Sequence, residues 1–146
     1  MARRYFTPSE ANELLAKVRP LAEALVEHRE GMRLAAERRA RLTTRIAGNG
    51  GDLDPQEPAE LDEQFERESQ AVARAADALQ RLGVLVKDLD RGLVDFPALR
   101  HGEEVLLCWQ VGEPAIAYWH GVDEGFAGRK PIDAHFLENH AGDRAN

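Results

Sequence analysis

From Ala11 to Ile46 the chain steps through Ala11, Leu14, Val18, Leu21, Leu25, His28, Met32, Ala35, Arg39, Leu42 and Ile46 at intervals of three and four. A seam of that spacing, held over about five heptads, makes one stripe along an α-helix. It cannot serve a β-strand, whose side chains change face at every residue. Leu15, Ala22, Val26 and Ala36 widen the stripe toward the breadth of a helix facing a globular core. Thr7-Pro8-Ser9-Glu10 supplies the start: Thr7 caps, Pro8 sits where its missing N–H is not needed, and Glu10 closes a capping box. Pro20 removes one rung of the ladder and predicts a kink near Ala16, but the seam keeps its phase, so one helix is expected rather than two.

The Gly/Pro/Asp-rich stretch 48–57 reads as a loop tip, with Gly48 suited to a left-handed end cap. A second seam follows over Leu61, Phe65, Glu68, Val72, Ala75, Leu79 and Leu82, and Gly83 terminates it. Two long helices across a short loop predict an antiparallel pair. Zipped from the loop, Arg39 lies opposite Phe65 and within a turn of Glu68, and His28 faces Ala75 as a packed residue rather than a ligand.

After Gly83 the period changes to two. Val84–Val86, Leu93–Phe96, Val105–Val111 and Ala115–His120 read as short strands between turn signals, with Arg3–Phe6 a further edge candidate. The expected fold class is therefore α+β. A long antiparallel two-helix, coiled-coil-like hairpin over 7–82 leads into a small antiparallel sheet of three or four strands over 83–132. The stretch 133–146 is expected to be a polar, flexible tail, and the whole 1–146 a single domain.

The segments FTPSEANELL, KDLDRGLVDFP, EVLLCWQVGEP, IAYWH and GFAGRKP resemble a small prokaryotic family known only as a domain of unknown function. The likeness runs from Phe6 to Ile132. It implies a whole-chain domain, and it carries over no activity, cofactor or catalytic residue.

One cysteine, Cys108, excludes an internal disulfide and points to a reducing, cytoplasmic setting. No stretch approaches the length of apolar sequence that spans a bilayer, and MARRYFTPSE lacks the apolar core of a secretory signal. Net charge is −7 and uneven: residues 1–50 hold ten Lys/Arg against six Asp/Glu, and residues 51–146 hold nine against twenty. An acidic chain lacks the general phosphate affinity of a nucleic-acid binder. The arginines from Arg33 to Arg45 face an acidic start of the second helix, and mutual neutralisation is the simpler account of both.

Candidate ligand-binding residues gather at the turns and strands of 87–129: Asp88, Arg91, Asp95, Trp109, Glu113, Trp119, His120 and Arg129. A tight turn at Gly112–Pro114 would set Trp109 opposite Ile116, Val105 opposite His120 and Cys108 beside Ala117. The two tryptophans would then point to opposite faces, one of them free to anchor a partner or a flat ligand. GFAGRK places two adjacent cations in a loop but lacks the spacing of a phosphate loop. His120, Asp123 and Glu124, joined by Cys108 or His101, are too common a grouping in turns to assign a metal. Cys108, mid-strand without a neighbouring cation, reads as a small packed hydrophobe. The only serines, Ser9 and Ser69, lie in no nucleophile motif. The cofactor is unknown, and whether the chain is an enzyme stays open. The leading expectation is a non-enzymatic interaction or regulatory protein that binds itself or a protein partner. The alternative is a small enzyme or ligand binder using the eight residues above.

Overall fold

The capping box forms as the sequence predicts. The Glu10 N–H donates to Thr7 Oγ1 at 3.1 Å, and the Thr7 N–H donates to Glu10 Oε1 at 2.8 Å. From this cap α1 runs Pro8–Asn49 without a break at Pro20. The structure, a computed structural model, describes residues 3–49 and 54–139. Gly48 lies inside α1 rather than capping it, and the centre of the expected tip, residues 50–53, lies outside the described residues. The second helix, α2, runs Gln56–Arg81 and starts before Pro58. Gly83 ends it at φ 90°: its N–H returns to Gln80 O at 2.9 Å, and that of Val84 returns to Leu79 O at 3.1 Å.

The helices are antiparallel, as pairs from base to tip show: His28 with Glu68, Arg39 with Asp62, and Arg45 with Glu57. Arg39 lines one groove with Phe65, as the seam predicts, while the hydrogen bonds at the two seam positions go to acidic partners. Arg39 Nε donates to Asp62 Oδ1 at 3.1 Å, and the His28 imidazole meets Glu68 Oε2 at 2.8 Å rather than facing Ala75. Gly31 accounts for the second pairing, because a Cβ there would collide with the Glu68 carboxylate that reaches past it to His28.

Among the described residues five strands, not three or four, form one antiparallel meander in the order β1-β2-β3-β4-β5. They are β1 Leu85–Asp88, β2 Leu93–Arg100, β3 Glu103–Gln110, β4 Tyr118–Gly121 and β5 Lys130–Pro131. The extra strand, β5, is two residues long and carries no alternation to detect. His101 and Gly102 join β2 to β3 with φ of 55° and 78°, the double left-handed turn that suits the twist of a two-residue hairpin. Arg3–Phe6 forms no strand. Phe6 docks by one bond, its N–H to Pro97 O at 2.7 Å, and by its ring, edge-on to Phe96 at 5.4 Å. A short helix, α3 (Ala134–Asn139), replaces the first part of the expected tail, and it buries Phe136 against Trp119 at 5.3 Å; residues 140–146 lie outside the described residues.

One face of the sheet packs on the helices. Val94, Phe96, Ala98, Val105, Leu107 and Trp109 join Val18, Leu25, Val72 and Leu79 in a continuous core. That core thins along the hairpin. Beyond Leu25 only Ala35 and Leu42 of the α1 apolar residues are buried, and in α2 nothing apolar before Val72 is.

Candidate functional site

The register of β4 against β3 decides what the other face of the sheet carries. Leu106 pairs with His120, Leu107 with Trp119 and Cys108 with Tyr118. This is one residue away from the expected pairing of Val105 with His120, and a one-residue slip turns every side chain of a strand to the opposite face. The cause lies in the connection. Residues 111–117 do not form a tight turn into β4. Instead Ile116 is captured by α1: its N–H donates to Asn12 Oδ1 at 2.9 Å, and Asn12 Nδ2 donates to its carbonyl at 3.3 Å. Ile116 is buried in the core, and the ladder resumes only at Tyr118.

Two consequences follow. Both tryptophans lie on the helix-facing side, against the expectation that they part. Trp109 is fully buried, with its indole N–H donating to Glu113 O at 3.0 Å, and Trp119 is half-buried against the same core. On the far side Asp95, Cys108 and His120 come together from three neighbouring strands. Asp95 pairs directly with Cys108, and His120 sits one diagonal step on.

All three side chains are buried, with relative exposures of 1%, 0% and 3%. Their ligating atoms lie within 4.8 Å of one another, the one such grouping of His, Cys, Asp and Glu among the described residues. His120 Nδ1 is 2.8 Å from Gly121 O, and a carbonyl only accepts, so Nδ1 carries a proton. His120 Nε2 meets Asp95 Oδ1 at 3.1 Å. With Nδ1 protonated, that contact holds one further proton shared between carboxyl and imidazole. Burial raises the Asp95 carboxyl above the ordinary aspartate range, opposed by His120, Lys87 and Cys108. Burial and the adjacent Asp95 push the Cys108 thiol up to about 12. By itself this thiol is a proton donor to Asp95, not a nucleophile.

At the rim, Arg129 donates from Nη2 to both oxygens of Glu113, at 2.8 and 2.7 Å, and its guanidinium lies between the rings of Tyr118 (4.1 Å) and Phe126 (4.5 Å). Arg91 covers Phe126 at 4.2 Å and donates to Gln110 Oε1 at 3.0 Å.

A family model described as "Uncharacterized conserved protein (DUF2203)" matches residues 4–132. The chain belongs to this family. No curated protein and no solved structure matches it. The matched span includes Asp95, Cys108 and His120 as well as both long helices.

The eight residues predicted to bind a ligand thus divide. Asp95 and His120 meet in the buried cluster. Arg91, Glu113 and Arg129 meet at its rim around Phe126. Trp109 and Trp119 belong to the opposite face. Asp88 organises a turn, its Oδ1 accepting the Asp90 and Arg91 N–H groups at 2.9 and 3.1 Å. Glu124, considered with His120 and Asp123, turns away to Lys130 Nζ (2.8 Å) and the Gly121 N–H (2.7 Å). Cys108 was missed. Its alternation with Gln110 was legible, but its neighbours depended on the β3–β4 register.

Proposed function

We propose that this protein is a non-enzymatic interaction protein whose helical hairpin associates with a second copy of itself. Phe65 carries the reading. It occupies an apolar seam position of α2 yet is 38% exposed, at a groove of about 620 Å³ that it lines with Val26, Met32 and Ala36. Two helices alone cannot cover both of their apolar stripes, and a four-helix arrangement covers them.

Charge complementarity supports a second copy as the occupant, beyond the Arg39–Asp62 and Arg45–Glu57 pairs already made within the hairpin. From Arg29 to Arg45 α1 holds six arginines against two glutamates, and from Glu57 to Glu68 α2 holds six acids against one arginine. A two-fold axis parallel to the hairpin sets α1 of one copy over α2 of the other, tip beside tip, and joins opposite charges. The alternative axis, across the hairpin, sets α1 over α1 and opposes like charges.

Sedimentation across a wide concentration range tests this. The wild-type chain is expected to form dimers, and Phe65→Asp to stay monomeric with an unchanged circular dichroism spectrum. A wild-type chain that remains monomeric at the highest concentration would overturn the reading.

A further inference from the structure

We propose that Asp95, Cys108 and His120 form a closed binding site for a single divalent transition-metal ion of the zinc type, a structural site rather than a hydrolytic one. The inference does not depend on the hairpin reading, because the cluster lies on the sheet face turned away from the helices.

The donor set suits such an ion. Thiolate, imidazole and carboxylate together are the ligands of zinc and its neighbours, whereas calcium and magnesium take oxygen alone. Bond lengths of about 2.0–2.3 Å in a tetrahedron put neighbouring donor atoms about 3.4–3.6 Å apart. The three donors already lie within 4.8 Å of one another, with the His120–Asp95 contact at 3.1 Å, so shifts of side chains alone bring them into range. The imidazole is also held as a ligand needs it. Its Nδ1–H is committed to the Gly121 carbonyl at 2.8 Å, which turns Nε2 toward the cluster. A ligating histidine commonly has its second nitrogen fixed by such a carbonyl.

Charge balance supports the same conclusion. Before binding, the thiol is neutral and the Asp95–His120 pair holds one shared proton, so the cluster carries no net charge. Binding places a doubly positive ion on a thiolate, a carboxylate and a neutral imidazole, again with no net charge. Two protons leave, one from Cys108 and one from the shared Asp95–His120 position. A buried site tolerates the exchange because neither state strands a charge. Lys87, Arg129 and Glu113 act electrostatically on the cluster from outside, and Glu124 interacts with His120. Complete burial of all three donors argues against an open coordination position for reactive water. With Cys108 Sγ and His120 Nε2, the two carboxylate oxygens of Asp95 bring the donor atoms to the four of a closed site.

The test is to unfold the full chain in chelator, refold it with cobalt(II), and record the electronic spectrum, metal content, proton release and melting temperature. Cys108 is the only cysteine, so a thiolate-to-cobalt charge-transfer band in the wild-type chain assigns it without any variant. The expected result is that band at one equivalent of cobalt, with two protons released and a raised melting temperature. Zinc displaces the cobalt. Affinity falls by up to about 100-fold for each unit of lowered pH, as release of two protons requires. Cys108→Ser, checked for folding by circular dichroism, loses the band. Absence of the band together with an unmoved melting temperature under saturating cobalt or zinc would overturn the proposal. So would cobalt spectra without a thiolate component, which place the ion elsewhere.

Discussion

The base of the molecule and the outer arm of its hairpin are made from similar helical sequence but held in different ways. At the base, α1 and α2 lay their apolar stripes on a sheet that returns Phe96, Leu107 and Trp109 into them. In the arm, among the described residues, the same stripes face each other with no sheet layer over them. Met32 is half-buried, Ala36 and Phe65 are exposed, and the cross-helix contacts include the ion pairs Arg39–Asp62 and Arg45–Glu57. A heptad seam therefore specifies helices and their partnership, but a third layer decides how much of the seam is buried.

The contrast breaks most visibly at the base. Trp109→Ala is expected to cost about 3–5 kcal/mol, because it empties a fully buried volume and removes one of the two donors, indole and Arg19, to the Glu113 carbonyl. Denaturant titration measures it, and a loss comparable to that of an exposed site would dissolve the distinction. Next in size is an alkaline effect confined to the sheet. The Cys108 thiol ionises near 9.0 in the unfolded chain but only near 12 when folded, so the unfolded state gives up its proton first. Stability is therefore expected to fall as pH rises from about 9 toward 12, by more in the wild-type chain than in Cys108→Ala. Parallel melting curves for the two would contradict the burial argument. The smallest effect belongs to the arm. Arg39→Ala removes a pair whose side chains are 38% and 65% exposed, and it is expected to change stability by no more than about 0.5 kcal/mol.

The same division governs what could be read from sequence. The helices, their order, the capping box at Thr7 and the stop at Gly83 are local chemistry, legible in a few residues each. The sheet's existence was legible from alternation, but its pairing was not. Asn12, about a hundred residues upstream, holds Ile116 out of the ladder and shifts β4 by one position. That long-range contact put Trp119 on the helix side and His120 beside Asp95 and Cys108. Asp95 and His120 were recognisable as polar residues in apolar strands. Cys108 was not, since a thiol between Leu107 and Trp109 is an ordinary core residue until its cross-strand neighbours are known. β5 was too short to show a period, and α3 rests on the burial of Phe136 together with a cap from Asp133, whose Oδ1 accepts the Phe136 N–H at 2.9 Å in a stretch that read as polar tail.

Amide hydrogen exchange at two widely separated protein concentrations addresses the central claim, that the base is complete within one chain and the arm is completed by a second. Protection across β2, β3 and the first half of α1 is expected to be the same at both. Protection around Met32–Leu42 and Leu61–Phe65 is expected to rise at the higher concentration and to fall back in Phe65→Asp. Arm protection that is independent of concentration and unaffected by that substitution would contradict the account.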